Sequence, residues 1–298
     1  MDPELEPFIP LLPRVKLIDP VAERKIFAEI AAATPPTETP DLEVEDRVVL
    51  ADPDVTVRIY RPRQAQGAVI WLRGGGFVFG DLDTDRPWSS RIAQESGAVV
   101  ISVGYRRSPE NRFPAALDDA CAALAWTAEH AAELGIDPDR IAVAGHSAGA
   151  GLAAAVALRT RDEQGPPIRF QLLNEPGLDD RQETWSQRNF TDTPWHDRQT
   201  LTHVWQHYMG SQPVTPYAAP ARAADLSGLP PAYIATAEFD PLRDEAVEYA
   251  MRLLRSGVSV ELHQWPGTFH GSQAILSAEV SQRQVAGICG ALRRALAG

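Results

Sequence analysis

Apolar and polar residues alternate along residues 43–61, which is the spacing of a strand with one buried face. The apolar positions of this stretch are Val44, Val48, Leu50, Val55, Val57 and Ile59. The Ala51-Asp-Pro-Asp54 break divides the stretch into two strands, so the pattern predicts a β-hairpin.

From residue 68 onwards, short apolar runs alternate with longer segments of helical spacing. Strands are predicted at 68–72, 98–103, 140–144, 168–173, 232–237 and 258–263, and helices at 114–133, 150–161, 242–256 and 273–297. This alternation is typical of an α/β fold with a mostly parallel sheet covered by helices on both faces.

Two segments depart from this rhythm. Residues 1–40 combine several prolines with one amphipathic stretch at 20–33, which is too short for a domain and predicts a helix that lies on another part of the structure. The interval 180–230 is rich in Trp, His and Pro and predicts an insertion above the sheet.

Composition narrows the function classes. The 298 residues are 44% hydrophobic, and 28 Lys+Arg against 40 Asp+Glu give a net charge of −12. Such an acidic chain is a poor partner for nucleic acid. No apolar stretch approaches the ~20 residues of a membrane span, and the acidic N-terminus is unlike a secretory signal. Two cysteines, Cys121 and Cys289, make no disulfide framework, so we expect a cytoplasmic protein, with a processed secreted protein as the alternative.

The sharpest motif is Gly145-His-Ser-Ala-Gly149, a G-x-S-x-G between a predicted strand and a small-residue helix. That context is the one a nucleophile elbow requires, because the turn tolerates only small flanking residues and exposes the serine hydroxyl. The alternative is a tight turn that only allows close helix packing.

A serine nucleophile needs a base and an orienting acid, which follow it in the chain in this arrangement. His270 lies just past the last predicted strand and is the expected base, with His263 inside that strand as the alternative. Asp240 directly follows the fifth strand and is the expected acid, although it could simply cap the next helix. Asp244 and Glu245 fall in the first turn of that helix, where the helix dipole accounts for them.

Acyl transfer also needs donors for the developing oxyanion. Arg73-Gly-Gly-Gly-Phe77 follows a strand and offers backbone N–H groups unobstructed by side chains. A phosphate-binding loop is the alternative reading, but no lysine or helix start follows these glycines.

Several separate blocks of the sequence form one pattern. They are Arg73-Gly-Gly-Gly-Phe77, Tyr105-Arg-Arg-Ser-Pro-Glu110, Phe113-Pro-Ala-Ala-Leu-Asp-Asp119, Gly145-His-Ser-Ala-Gly149, Asp240-Pro-Leu-Arg-Asp-Glu245 and His270-Gly271. Together these blocks resemble the hormone-sensitive-lipase-like (family IV) bacterial esterases of the α/β-hydrolase superfamily, and the resemblance covers the chain from about residue 45 to the end. The resemblance implies an N-terminal cap segment at 1–42 and an α/β-hydrolase catalytic domain at 43–298, with a cap insertion at about 180–225.

The resemblance implies Ser147 as nucleophile, His270 as base and Asp240 as acid, with no metal and no organic cofactor. It implies oxyanion donors at Gly74, Gly75 and Ala148. Three positions depart from the family pattern: Arg73 stands where His is usual, His146 where Asp or Glu is usual, and Ser272 where Phe is usual.

Aromatic residues of the insertion are expected either to line an apolar pocket over the serine or to pack the cap onto the core. The residues predicted to line the pocket are Phe77, His146, Trp205 and Tyr208. His203 and His207, four residues apart with His196 upstream, suggest a metal site, but the H-E-x-x-H pattern is missing and a solvated helix face is favoured.

The sequence therefore predicts a serine hydrolase that cleaves carboxylic esters of small to medium acyl chains through an acyl-enzyme. An amidase, deformylase or lactonase with the same triad is the alternative, followed by a non-catalytic binding protein. The expected partner is a small-molecule ester, and a homodimer is left open.

Overall fold

The computed structural model describes residues 1–13, 16–33, 41–65 and 67–297, without the side chains of 26–28 and 30–33. Residues 14–15 and 34–40 of the predicted N-terminal cap segment lie outside the described residues, as do 66 and 298.

Eight strands form one sheet in the order β1-β2-β4-β3-β5-β6-β7-β8. They are β1 Leu42–Val49, β2 Val55–Pro62, β3 Ala68–Leu72, β4 Val99–Val103, β5 Ile141–His146, β6 Phe170–Asn174, β7 Ala232–Phe239 and β8 Val260–Phe269. The pairs β1–β2 and β2–β4 are antiparallel, and every other neighbouring pair is parallel. The predicted hairpin and mostly parallel sheet are confirmed.

Helices connect the strands and cover both faces of the sheet. They are α1 Pro20–Ala33, α2 Arg86–Ser96, α3 Ala115–Glu129, α4 Ala131–Leu134, α5 Ala148–Asp162, α6 Trp185–Asn189, α7 Arg198–Met209, α8 Arg243–Arg255 and α9 Glu279–Leu296. Short 3₁₀ helices occur at Glu6–Leu11, Pro220–Arg222 and Ser272–Ala274.

Strand β3 explains why the central runs are continuously apolar. Ile70 and Leu72 belong to the core cluster that includes α3 and α5, whereas Val69 and Trp71 belong to the cluster that includes α2 and α9. A parallel strand with helices on both faces has no solvated side, so both sets of alternating residues are apolar.

Some predicted boundaries were wrong. The last helix begins at Glu279 rather than at residue 273, because Ala278 is extended (φ −85°, ψ 135°) and packs in a cluster with Leu5 and Phe269. The sixth predicted strand continues through Phe269 instead of ending at residue 263. Helix α2 was not predicted, since its sequence RPWSSRIAQES is mostly polar.

Carboxylates of α8 hold the start of the segment that carries α6 and α7. The buried Glu245 accepts the backbone N–H groups of Leu178 (2.5 Å) and Asp179 (3.2 Å) and the side-chain amide of Gln187. Asp244 accepts the N–H of Ser186 at 2.7 Å. The expectation that these two acids serve only the helix dipole was therefore wrong, because their partners lie far away in the sequence.

Two histidines of α7 contact the N-terminal segment. His203 Nδ1–H donates to the carbonyl of Lys16 (2.6 Å), and His207 Nε2–H donates to that of Leu17 (2.8 Å). The two side chains thus bind backbone rather than forming the solvated face that the sequence favoured.

No helix in the described part of the chain is long and apolar enough to cross a bilayer.

Candidate active site

The turn between β5 and α5 places Ser147 in a strained conformation, with φ 56° and ψ −122°. A side chain rarely adopts a positive φ without tertiary support. The support here is steric. A Cβ on Gly149 would lie 1.9 Å from the carbonyl oxygen of Leu72, and one on Gly145 would lie 2.4 Å from the backbone of Gly149. Only glycine fits at either position, so the motif residues fix the turn that exposes Ser147.

Ser147, His270 and Asp240 meet at the carboxyl edge of the sheet, where the sequence predicted a site. His270 follows β8, and its Nε2 lies 2.9 Å from Ser147 Oγ. Asp240 follows β7, and its Oδ2 accepts the Nδ1–H of His270 at 2.7 Å. All three side chains are buried. The hydrogen bond to Asp240 fixes the tautomer in which His270 Nε2 can take a proton from the serine hydroxyl.

Asp240 serves two purposes at once. Its second carboxylate oxygen accepts the N–H of Leu242 at 2.8 Å, which stabilises the turn into α8. The helix-start role that the sequence offered as an alternative therefore coexists with the contact to His270, because one carboxylate has two acceptor oxygens.

His263, the alternative base, lies elsewhere. Its Nε2 contacts Glu261 at 2.9 Å, and its ring stacks on Tyr233 and Trp265. The side chain is part of β8 and contacts neighbouring strand residues rather than Ser147.

Electrostatics at His270 are a balance of opposed effects. Burial by itself lowers the pKa of His270. The charge and hydrogen bond of Asp240 and the charge of Glu175 together outweigh burial and raise the pKa of His270 to about 9. The site therefore stabilises the imidazolium that forms when His270 accepts a proton.

The predicted oxyanion donors lie around the serine. Gly74 and Gly75 line the same cavity as Ser147, and Gly75 adopts φ +110° in the turn after β3. Ala148 is the first residue of α5, and a first-turn N–H has no acceptor within its own helix. These backbone groups are available for a negative charge that develops beside Ser147.

A cavity of about 400 Å³ opens above Ser147, and its exposed wall is mostly apolar. Its lining includes Leu12, Trp71, Phe79, Trp88, Trp195, His196, Phe269 and Ile275. Among the four residues predicted to line a pocket, His146 belongs to this lining.

The other three predicted pocket residues, Phe77, Trp205 and Tyr208, pack against one another instead. The Phe77 and Tyr208 rings stack at 3.8 Å, and Trp205 lies 6.3 Å from Phe77. All three are buried in the core cluster that joins α7 to the glycine loop. They correspond to the alternative in which the aromatic residues attach the insertion to the core.

Sequence reasoning missed two residues of the site. Glu175 directly follows β6 and contacts His146 and Gly271, and the ring of His196 lies edge-on to His270 at 4.7 Å. Burial, together with the charges of His270 and His146, holds the pKa of His196 well below its usual value, which favours the neutral form of this side chain. Glu175 lies just past the strand predicted at 168–173, as Asp240 lies just past the one predicted at 232–237, so the same signal could have identified both acids.

Arg73 has a structural role next to the glycines. Its buried guanidinium lies over the Tyr105 ring at 3.8 Å and donates to the carbonyls of Val103 and Tyr105, both at 3.3 Å. Tyr105 in turn donates its hydroxyl to the carbonyl of Arg73 at 2.9 Å. These contacts attach the start of the glycine loop to the end of β4.

His146, Glu175 and His270 place nitrogen and oxygen atoms within 4.8 Å of one another, a spacing that could hold a metal ion. Each of these side chains is already hydrogen-bonded, His146 to Glu175 and His270 to Asp240 and Ser147. A metal bound there would compete with the bonds that orient His270.

Comparisons with known proteins identify the family. The alpha/beta hydrolase fold family matches residues 69–274. A carboxylesterase, NlhH, from Mycobacterium tuberculosis is 43% identical over 80% of this chain and 78% of its own length. An arylesterase from Saccharolobus solfataricus is 32% identical over 98% of this chain and 97% of its own length.

Solved structures extend the likeness to the whole chain. A bacterial heroin esterase superposes with a TM-score of 0.97 and 43% identity, covering 100% of this chain and 98% of that one. The esterase LipW from Mycobacterium marinum gives a TM-score of 0.92 at 39% identity, covering 100% and 96%. The chain therefore belongs to the alpha/beta hydrolase fold family.

Proposed function

We propose that this chain is a serine hydrolase that cleaves carboxylic esters of small to medium acyl chains through an acyl-enzyme on Ser147. The observation that carries the proposal is the 2.9 Å contact between Ser147 Oγ and His270 Nε2, backed by the 2.7 Å bond from His270 to Asp240. Relatives named carboxylesterase and arylesterase support the ester as the substrate class.

In the proposed reaction, Ser147 attacks the ester carbonyl while His270 takes the hydroxyl proton. The N–H groups of Gly74, Gly75 and Ala148 hold the oxyanion, and His270 then protonates the departing alcohol. Water repeats the sequence, so the acid is released and Ser147 is restored. Asp240 keeps the Nδ1 proton of His270 in place and stabilises the imidazolium.

The cavity supports the chain-length class. Its volume of about 400 Å³ and its mostly apolar wall suit a small or medium acyl chain. The described part of residues 1–42, together with residues 180–225, forms the proposed cap, because α7 contacts the N-terminal segment and Leu12, Trp195 and His196 line the cavity.

The proposal also includes a cytoplasmic location, supported by two cysteines that are both free. The net charge of −12 supports a partner other than nucleic acid.

A second copy of the chain is a further candidate partner, and light scattering during size-exclusion chromatography measures whether a dimer forms.

The first test is ester hydrolysis by the wild type and by Ser147→Ala, using p-nitrophenyl esters from acetate to octanoate and the matching anilides. We expect turnover of the short esters to exceed that of the anilides. Ser147→Ala should lower kcat by at least about 10⁴-fold, since nucleophile loss removes the function of the whole triad. The exposed Ser277→Ala is the matched control and should leave kcat unchanged.

Covalent labelling by a fluorophosphonate distinguishes the alternatives. An ester hydrolase is labelled at Ser147 and turns over the esters. A labelled protein that prefers the anilides is an amidase, and a folded protein that neither is labelled nor turns over any substrate is a binding protein. Either of these outcomes would overturn the ester proposal.

A further inference from the structure

Two carboxylates, not one, lie at the end of neighbouring parallel strands beside His270. Asp240 follows β7 and Glu175 follows β6, which pairs with β7. Glu175 is only 1% exposed and has a positive φ of 49°, so its buried position is supported by its surroundings rather than by local preference.

The contacts of Glu175 point toward the imidazole. Its Oε2 accepts the backbone N–H of Gly271, the residue after His270, at 2.8 Å and the Nε2–H of His146 at 3.0 Å. The same oxygen lies 3.7 Å from His270 Nδ1, against 2.7 Å for Asp240 Oδ2. One nitrogen of His270 therefore faces both acids.

We propose that Glu175 is a positioning residue for His270, which holds the imidazole through Gly271 and shares its positive charge with Asp240. The inference rests on the proposed function, because it assigns Glu175 a part in the proton transfer from Ser147.

The titratable groups around His270 support this role. The titratable groups that face His270 are Asp240 from the end of β7, Glu175 from the end of β6, His146 from β5 and His196 from the segment before α7. A buried carboxylate is costly unless it is paired. Glu175 is paired by His146 and by the imidazolium, and these partners keep its pKa below its usual value although burial opposes them.

His146 orients Glu175 on the opposite side. Its ring is parallel to that of His270 within 26°, at 5.3 Å between centroids, with Glu175 bonded to its Nε2. The four groups form a chain of contacts from His146 through Glu175 and His270 to Asp240. The histidine in the G-x-S-x-G motif thus has a defined partner.

Glu175→Gln tests the charge with little change of shape. The amide oxygen can keep the bonds from Gly271 and His146, and the amide NH₂ replaces Oε1, which has no partner among the described residues. The readout is kcat/KM for p-nitrophenyl butyrate between pH 6 and 10. Because His270 must be neutral to accept the proton, activity rises with pH through the apparent pKa of His270.

For the wild type we expect that rise to have a midpoint near pH 9. Removing the charge of Glu175 should lower the midpoint by about one pH unit and lower the high-pH plateau about tenfold, a loss equal to about 1.4 kcal/mol. The matched control is Glu238→Gln, which removes a carboxylate that accepts the N–H of Gly267 on β8, the strand that ends just before His270. Its midpoint should equal that of the wild type.

A double-mutant cycle with Asp240→Asn gives a second readout. If Glu175 shares the charge, it partly replaces Asp240, so the double variant should lose at least about tenfold more activity than the product of the two single losses. An unchanged midpoint in Glu175→Gln together with multiplicative losses would overturn the inference.

Should Glu175→Gln fail to fold, His146→Phe keeps the inference testable. This change removes the hydrogen bond that His146 donates to Glu175, so the negative charge of Glu175 interacts more strongly with His270. The midpoint should therefore move to higher pH, and a midpoint that stays fixed would contradict the inference. Fluorophosphonate labelling of the wild type separates the two proposals. If the wild type is unlabelled, the proposed function fails, whereas a labelled and active wild type with an insensitive midpoint refutes only the role of Glu175.

Discussion

The turn at Ser147 and the segment that carries α6 and α7 both border the cavity, but they are held in different ways. At the turn, backbone meets backbone, and a methyl group on Gly149 would come within 1.9 Å of the β3 carbonyl of Leu72. The segment is attached instead by side chains that reach backbone groups distant in sequence, such as Glu245 to Leu178. Steric contacts of this closeness allow no substitution, whereas hydrogen bonds can be removed one at a time.

The largest effect that this comparison predicts is that of Gly149→Ala. The new methyl would overlap the carbonyl oxygens of Leu72 and Arg73, at 1.9 and 2.3 Å, so β3 and α5 cannot both keep their places. We expect the free energy of unfolding to fall by at least about 4 kcal/mol, measured by urea denaturation.

The control for that prediction is Gly135→Ala. Gly135 also resists substitution through its φ of +68°, but a Cβ there meets nothing within 4 Å. Only the conformational cost remains, about 1–2 kcal/mol. If the two variants were equally stable, steric contact would not be what fixes the turn.

A smaller effect is expected for Glu245→Ala, which removes one attachment of the segment. The N–H groups of Leu178 and Asp179 would lose their acceptor in a buried site, at a cost on the order of 3 kcal/mol. Urea denaturation measures the change. The exposed Glu248→Ala on the same helix should change stability by less than about 0.5 kcal/mol. A Glu245→Ala protein as stable as the wild type would contradict the anchoring role.

The smallest effect is expected for His207→Ala, at the contact between α7 and the N-terminal segment. Losing the bond to the Leu17 carbonyl should cost about 1 kcal/mol, which makes local opening about fivefold more frequent. Tryptic cleavage after the exposed Lys16 reports that opening, and Gln206→Ala on the same helix is the control. Equal cleavage rates in the two variants would show that this bond does not hold the segment.

Much of the framework could be predicted from the sequence because it depends on local preference. Apolar runs bounded by glycines located the central strands, and the spacing of small residues around Ser147 located its turn. Helix α2 and the start of α9 were less accessible. The first has a polar sequence, and the second depends on Ala278 packing beside Leu5 from the opposite end of the chain.

Three residues predicted for chemistry, Ser147, Asp240 and His270, lie in contact because each directly follows one of the parallel strands of the sheet, and the carboxyl ends of such strands share an edge. The order of residues along the chain determined that meeting point. Only the tertiary structure decided which side chains line the cavity and that Glu175 faces His270, because these depend on side-chain directions and on contacts between residues far apart in the sequence.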